Sequence, residues 1–307
     1  MQSLKSNGIY LALITAFISG VSIFVNKFAV DAISPPLVFT AVKNAGVGIL
    51  VVSVILMLGK FKLLRTLSRS DLMKLVAVGL VGGTLPFYLF FTGLSTIPAI
   101  NAAMIHKSLV FWVSILALVF LKERMTKTQL LAVLILFSSN YVIPGFKGFT
   151  FSVGEMMVFG ATLLWSVETI IAKKVLSHVD PDIVTGFRMG LGSLILMILA
   201  VFQAPASLAN LTSIAPMQLF WLALTMLTLF GYVSSWYRAL KLAPAITVTA
   251  VLVSSTLVTN ILSAVFITQT WNAVLTVQGL VTIMGIALLW FASKNYNATQ
   301  KLEGLPR

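Results

Sequence analysis

Apolar residues fill ten long stretches of this chain, and polar residues are confined to the gaps and to a few positions inside the stretches. The stretches run at about 8–29, 36–58, 73–94, 98–121, 127–144, 153–176, 182–201, 216–237, 244–267 and 271–292. Almost all are long enough for a helix to cross a hydrocarbon core of about 30 Å at roughly 1.5 Å per residue. The gaps are short, so neighbouring helices are expected to be antiparallel. The longest gaps, Gly59 to Leu72 and Phe202 to Ala215, leave no room for a soluble domain. The pattern predicts an all-α integral membrane protein with ten transmembrane helices.

Composition sharpens this. Only 9% of the 307 residues are charged, 59% are hydrophobic, and the mean hydropathy is +1.02, whereas a soluble domain carries about a quarter charged residues. The net charge of +13 does not point to nucleic acid, because the basic residues punctuate apolar runs and form no patch. With the N-terminus inside, sixteen of the twenty-one Lys and Arg fall in inside segments and only Lys27 and Lys147 fall outside. That bias predicts both termini in the cytoplasm of a plasma-membrane protein. Eight or nine spans would break the alternation. The first stretch follows Met1 to Asn7 with no small-residue cleavage site, so it reads as a retained span. There is no cysteine, and the two histidines, His106 and His178, lie in different elements. No metal site and no cofactor are expected.

The chain also repeats itself at a period of about 146 residues. Phe91 to Ala99 (FTGLSTIPA) aligns with Tyr237 to Ala245 (YRALKLAPA), Ser108 with Ser254, and Val119-Phe120 with Val265-Phe266. Upstream, Gly8 meets Gly154 and Lys27 meets Lys173. With one residue of slippage Pro36 meets Pro181 and Lys43 meets Arg188. This divides the chain into repeats at 1–147 and 148–293 and a cytoplasmic tail at 294–307. Two consecutive units of five helices must enter the membrane from opposite sides. Such inverted repeats put a substrate site near the midplane between the halves.

The proline-led fourth and ninth helices (Pro98, Pro244), the Leu121-Lys122-Glu123-Arg124 close of helix 4 with Gln129 after it, and Gln278-Gly279 followed by Gly285 in the last helix resemble the EamA-type branch of the drug/metabolite transporter superfamily. The resemblance covers essentially the whole chain. It implies ten helices as two five-helix repeats and a transported solute, with amino acids, nucleosides and drugs all within the family's range. Val110 and Thr256 stand where the family often has a proline, which removes the usual cause of a kink there. Gln269-Thr270 stands where a glutamate is usual, so a role symmetric with that of Glu123 is not expected.

Ionisable groups inside spans are costly in lipid and must face protein or water. Lys107, with His106 beside it, lies about 13 Å into the fourth span. It either anchors a carboxylate or phosphate, with His106 handling a proton, or it snorkels or pairs structurally. Glu168 is the one acid deep in a span, and it either serves the pathway or pairs with Lys107 or Arg188. Lys43 and Arg188, repeat equivalents, are each about two turns from an opposite end. They either gate one mouth each or snorkel to headgroups. Thr15, Ser19, Ser22 and Asn26 form a polar stripe on helix 1, matched on helix 6 by Thr162, Trp165, Glu168 (or Thr169) and Lys173. Small hydroxyls are also common at close-packed crossings. Trp165, Trp112, Tyr88 and Trp236 are candidates for an aromatic wall. Gly82, Gly83, Pro86 and Gly93 are candidate bending points in helix 3.

Enzyme motifs are absent from the sequence: no phosphate loop, no HExxH and no nucleophile elbow. The expected function is a secondary transporter or exchanger, in the direction of export, moving a small polar metabolite such as an amino acid or organic anion by alternating access. Helices 1–4 and 6–9 are expected to form the cavity, with helices 5 and 10 at the periphery or at a homodimer face. The expected partners are a small-molecule substrate and the lipid bilayer, with no nucleic acid. The alternative is a non-transporting receptor or scaffold, which predicts a dry, closed pair of Glu168 with Lys107 and no accessible cavity.

Overall fold

The computed structural model describes residues 2–29, 33–140 and 148–302. Among them the chain forms helices and no strand. Nine helices are long and apolar enough to span: α1 (Asn7–Asn26), α2 (Pro36–Met57), α3 (Arg69–Leu94), α4 (Ala99–Phe120), α6 (Val153–Val175), α7 (Pro181–Gln203), α8 (Pro216–Leu242), α9 (Ala245–Thr268) and α10 (Ala273–Ser293). A shorter apolar helix, α5 (Lys127–Ser138), completes the ten. Positions 141–144, also expected in α5, lie outside the described residues. The helix that contains α10 continues to Leu302, into the stretch expected as a tail.

Starts are set by local chemistry. Ser68 accepts the Asp71 amide and opens α3 four residues before its expected start. Thr126 and Gln129 form a reciprocal capping box on α5. Asp180 caps α7 with Pro181 in its first turn. The gaps at 59–72 and 202–215 are not bare loops: each carries a short 3₁₀ helix, Lys60–Thr66 and Asn210–Ser213.

The outward surface is apolar, as in Phe17, Met57, Val119, Phe202, Leu227 and Phe291, all exposed. In lipid these side chains cost nothing, and helix association rests on close packing instead. α3 and α7 approach closely where Gly83 and Gly192 meet backbone to backbone. A Cβ on Gly192 would come within 2.6 Å of Gly83. α5 and α10 pack on each other at the edge, with Gly285 against Leu136.

α4 and α9 are both interrupted without a proline. α4 breaks at Ser108 and α9 at Ser254, the two serines that align across the repeat. Each hydroxyl bonds the carbonyl three residues back, Ile105 at 2.6 Å and Val251 at 2.7 Å. The Ser254 amide makes the same short step, to Val251 at 3.0 Å, and the Ser108 amide is shared between Ile105 at 3.1 Å and Met104 at 3.3 Å. Serine bonding its own backbone competes with the i→i−4 ladder and tightens one turn. That replaces the missing proline.

Candidate functional site

A cavity of about 830 Å³ lies between the two halves, within the usual size range of small-molecule sites. Its lining comes from α1–α4 and α6–α9, and none of it from α5 or α10. It extends to the end of the bundle that carries the α1–α2 and α3–α4 links, through Ile33, Ser34, Ser95 and Ile97. All nine residues selected from the sequence line it: Ser19, Ser22, Asn26, Lys43, His106, Lys107, Trp165, Glu168 and Arg188. Trp236 does too, whereas Trp112 and Tyr88 are not in the lining. Trp112 packs edge-on to Phe159. Thr15 and Thr162 are buried and bond their own helices.

Two π-helical turns shape the floor, Gly79–Thr84 in α3 and Phe187–Leu191 in α7. Such bulges free backbone groups from the helical ladder. The indole Nε1 of Trp165 donates to the Gly82 carbonyl at 3.0 Å, and Glu168 occupies the space a side chain at Gly82 would fill. Glu168 accepts a hydrogen bond from Tyr237 (2.5 Å) and faces Arg188 at 3.6 Å, while Arg188 also donates to the Tyr237 hydroxyl at 3.2 Å. All three are buried. Tyr237 is absent from the sequence-selected residues, although it opens the repeat alignment opposite Phe91.

The first half holds a counterpart. The Lys43 ammonium sits 4.9 Å from the Phe91 ring centre and 4.8 Å from that of Phe39. Arg188 sits 5.7 Å from the Tyr237 ring. Lys43 matches Arg188 and Phe91 matches Tyr237 across the repeat, so each half sets one cation against the matched ring, with Phe39 as a second ring for Lys43. Lys43 and Arg188 each lie seven residues inside the start of their helix, at Pro36 and Pro181, and both face the same cavity. Both are buried in a single cavity, held by aromatic faces and, for Arg188, by Glu168. Lys107 donates from the first half to the second, to the Ser255 hydroxyl at 2.7 Å, from the break in α4 to the break in α9. Glu168 pairs with Arg188 and not with Lys107. His106 packs edge-on to Trp165 and Phe90 at 4.9 and 5.4 Å. Phe87 meets Trp165 edge-on at 5.4 Å.

The opposite end of the bundle is shut. Lys60 bonds Asp180 at 2.9 Å and Asp182 at 2.5 Å, and Arg238 bonds Asp182 at 2.5 Å. Lys173 donates to the Leu240 and Ala243 carbonyls, and Lys241 to the Val179 carbonyl. Glu123 accepts the Ala245 and Ile246 amides at 2.8 and 3.2 Å, capping α9. His178 meets Asp71 at 2.8 Å. Burial pushes Asp180 up, but the hydrogen bonds from Lys60 and the Asp182 amide outweigh it and hold its carboxyl below the ordinary 3.8.

The EamA-like transporter family matches residues 6–143 and again 152–291. The chain is 24% identical over 216 residues to the uncharacterized transporter YyaM of Bacillus subtilis (strain 168), covering 68% of this chain and 70% of that one. It is 25% identical over 227 residues to an uncharacterized transporter of Archaeoglobus fulgidus, covering 72% and 77%. A solved crystal structure shares the fold with a TM-score of 0.78 at 15% identity, covering 95% of this chain and 99% of the other. With both halves matched by one family and a cavity lined by both, the chain belongs to the EamA-like transporter family.

Proposed function

We propose that this protein is a secondary transporter or exchanger that moves a small polar metabolite, an amino acid or an organic anion, across the plasma membrane by alternating access. The observation that carries this is a cavity lined by both halves that extends to one end, while charged and backbone contacts close the other. In the inverted arrangement the two halves rock about the cavity and exchange the open and closed ends. The basic links at the closed end favour a cytoplasmic location for it and for both termini. Export is the proposed direction. Transport then draws on a solute or ion gradient and not on hydrolysis. The receptor reading needs a dry Glu168–Lys107 pair, and those two side chains have other partners.

The test is counterflow in proteoliposomes with labelled amino acids, nucleosides and organic anions, comparing wild type with Lys107→Ala and Glu168→Gln. Saturable exchange in wild type that both changes abolish is the expected result. Exchange unaffected by either change would remove these residues from the pathway. No exchange of any class across the panel would overturn the transport reading.

A further inference from the structure

The two halves differ at one position in a way that bears on charge. In the second half Arg188 over Tyr237 is neutralised by Glu168. The residue equivalent to Glu168 in the first half is Ser22, which lines the same cavity. Lys43 over Phe91 therefore has no internal counter-ion of that kind. The remaining described carboxylates are engaged elsewhere: Asp71 with His178, Glu123 on the α9 amides, Glu155 with Asn101, and Asp180 and Asp182 with Lys60. Lys107 meets only a neutral hydroxyl, Ser255. A third donor, the Trp236 indole Nε1, is buried on the cavity wall with no hydrogen-bond partner among the described residues.

We propose that the cavity takes an organic anion with a flat apolar body, a carboxylate without a compensating ammonium, whose charge is met by Lys43 and Lys107. This rests on the reading of the cavity as the transport site and narrows it. A zwitterion would bring an ammonium, and the one carboxylate in the described lining, Glu168, is already held by Tyr237 and Arg188; the unpartnered acceptor Asn26 Oδ1 is neutral. The faces of Phe39, Phe87, Phe91 and Trp165 take the apolar body. The carboxylate stands beside Lys43 as Glu168 stands beside Arg188, so each cation–ring pair ends with one anion.

The experiment compares three probes with one phenyl body and different charge, 3-phenylpropionate, phenylalanine and phenethylamine. Binding to the full chain in lipid nanodiscs is followed by calorimetry, and counterflow is run in parallel. The expected result is that 3-phenylpropionate binds at least about tenfold tighter than the other two. Lys43→Gln and Ser22→Glu, which installs the missing counter-ion, each lose about tenfold or more, and Lys43→Arg retains binding. Phenylalanine or phenethylamine binding as tightly, binding of 3-phenylpropionate unchanged in both Lys43→Gln and Ser22→Glu, or no binding of 3-phenylpropionate would each overturn the proposal. Exchange of an amino acid without anion binding would sink the proposal and leave transport standing. Anion binding without exchange of any solute would do the reverse.

Discussion

Asp182→Asn should loosen the closed end of the bundle. The Asp182 side chain is 6% exposed and accepts hydrogen bonds from Lys60 and Arg238, both at 2.5 Å. Its partners are 27% and 41% exposed, so solvent screens them. Exposed pairs contribute about 0–1 kcal/mol and hydrogen bonds to charged groups about 1.5–3 kcal/mol. A middle figure of about 1 kcal/mol for each bond makes the change cost the closed state about 2 kcal/mol, roughly thirtyfold in its equilibrium with the open state. A closed-to-open ratio of about 99:1 would fall to about 3:1, exposing about a quarter of the molecules. The readout is a single cysteine at Ala239, since the chain has none of its own. Ala239 is fully buried, one turn beyond the cavity residue Trp236 towards the closed end. Its modification by a membrane-impermeant maleimide added from that side should accelerate at least tenfold in the Asp182→Asn background. A change below twofold, in a variant with unaltered thermal unfolding, would refute the assignment of this network to closure.

Other consequences are simpler to measure. Because Asp180 titrates below its ordinary value of 3.8, the stability it contributes is present above that value and is lost as pH falls through the lowered one. Melting in detergent should therefore show an acid-side drop that Asp180→Asn removes. Gly192→Ala would force a Cβ to 2.6 Å from Gly83 and should cost roughly 1–3 kcal/mol, read as a fall of several degrees in melting temperature. Tyr237→Phe removes the donor to Glu168 and the acceptor from Arg188. It should destabilise by about 1.5–3 kcal/mol, and a melting temperature equal to wild type would show that the pair does not depend on the hydroxyl.

Much of the architecture was legible because lipid enforces it. A polar side chain inside a span has nowhere to face but protein or a cavity, so Lys43, Lys107, Glu168 and Arg188 are visible as inward-facing before any packing is known. Aromatic residues carry no such mark, since a phenylalanine is as content against lipid as against a ligand. Phe39, Phe87, Phe91 and Tyr237 were accordingly missed, although the repeat alignment already set Phe91 opposite Tyr237. Arg188, the partner of Glu168, sits in the Phe187–Leu191 π turn, and no period in the sequence encodes a π turn. The breaks in α4 and α9 left a faint signal, Ser108 aligned with Ser254. A hydroxyl that bonds its own backbone looks in sequence like any other serine.

The departures from internal symmetry say more about the molecule than the symmetry does. Glu123, from the link after α4, caps the start of α9 at the closed end. Its counterpart after α9 is Gln269, exposed and in a left-handed turn like that at Lys122. A carboxylate at a helix N-terminus gains from the partial positive charge of the amides, and a neutral amide gains far less. Closing the cavity end would thus lack the clasp that closes the other. The same economy of acids appears inside, where Ser22 stands opposite Glu168. In both places the first half or its partner gives up a carboxylate, and the two ends of an inverted repeat cease to be energetically equivalent. An inverted pair with identical halves would populate both states equally. On the alternating-access reading proposed above, the unequal placement of Glu123 and Glu168 would give this chain a preferred resting state, shut where its basic links cluster and accessible at the other end.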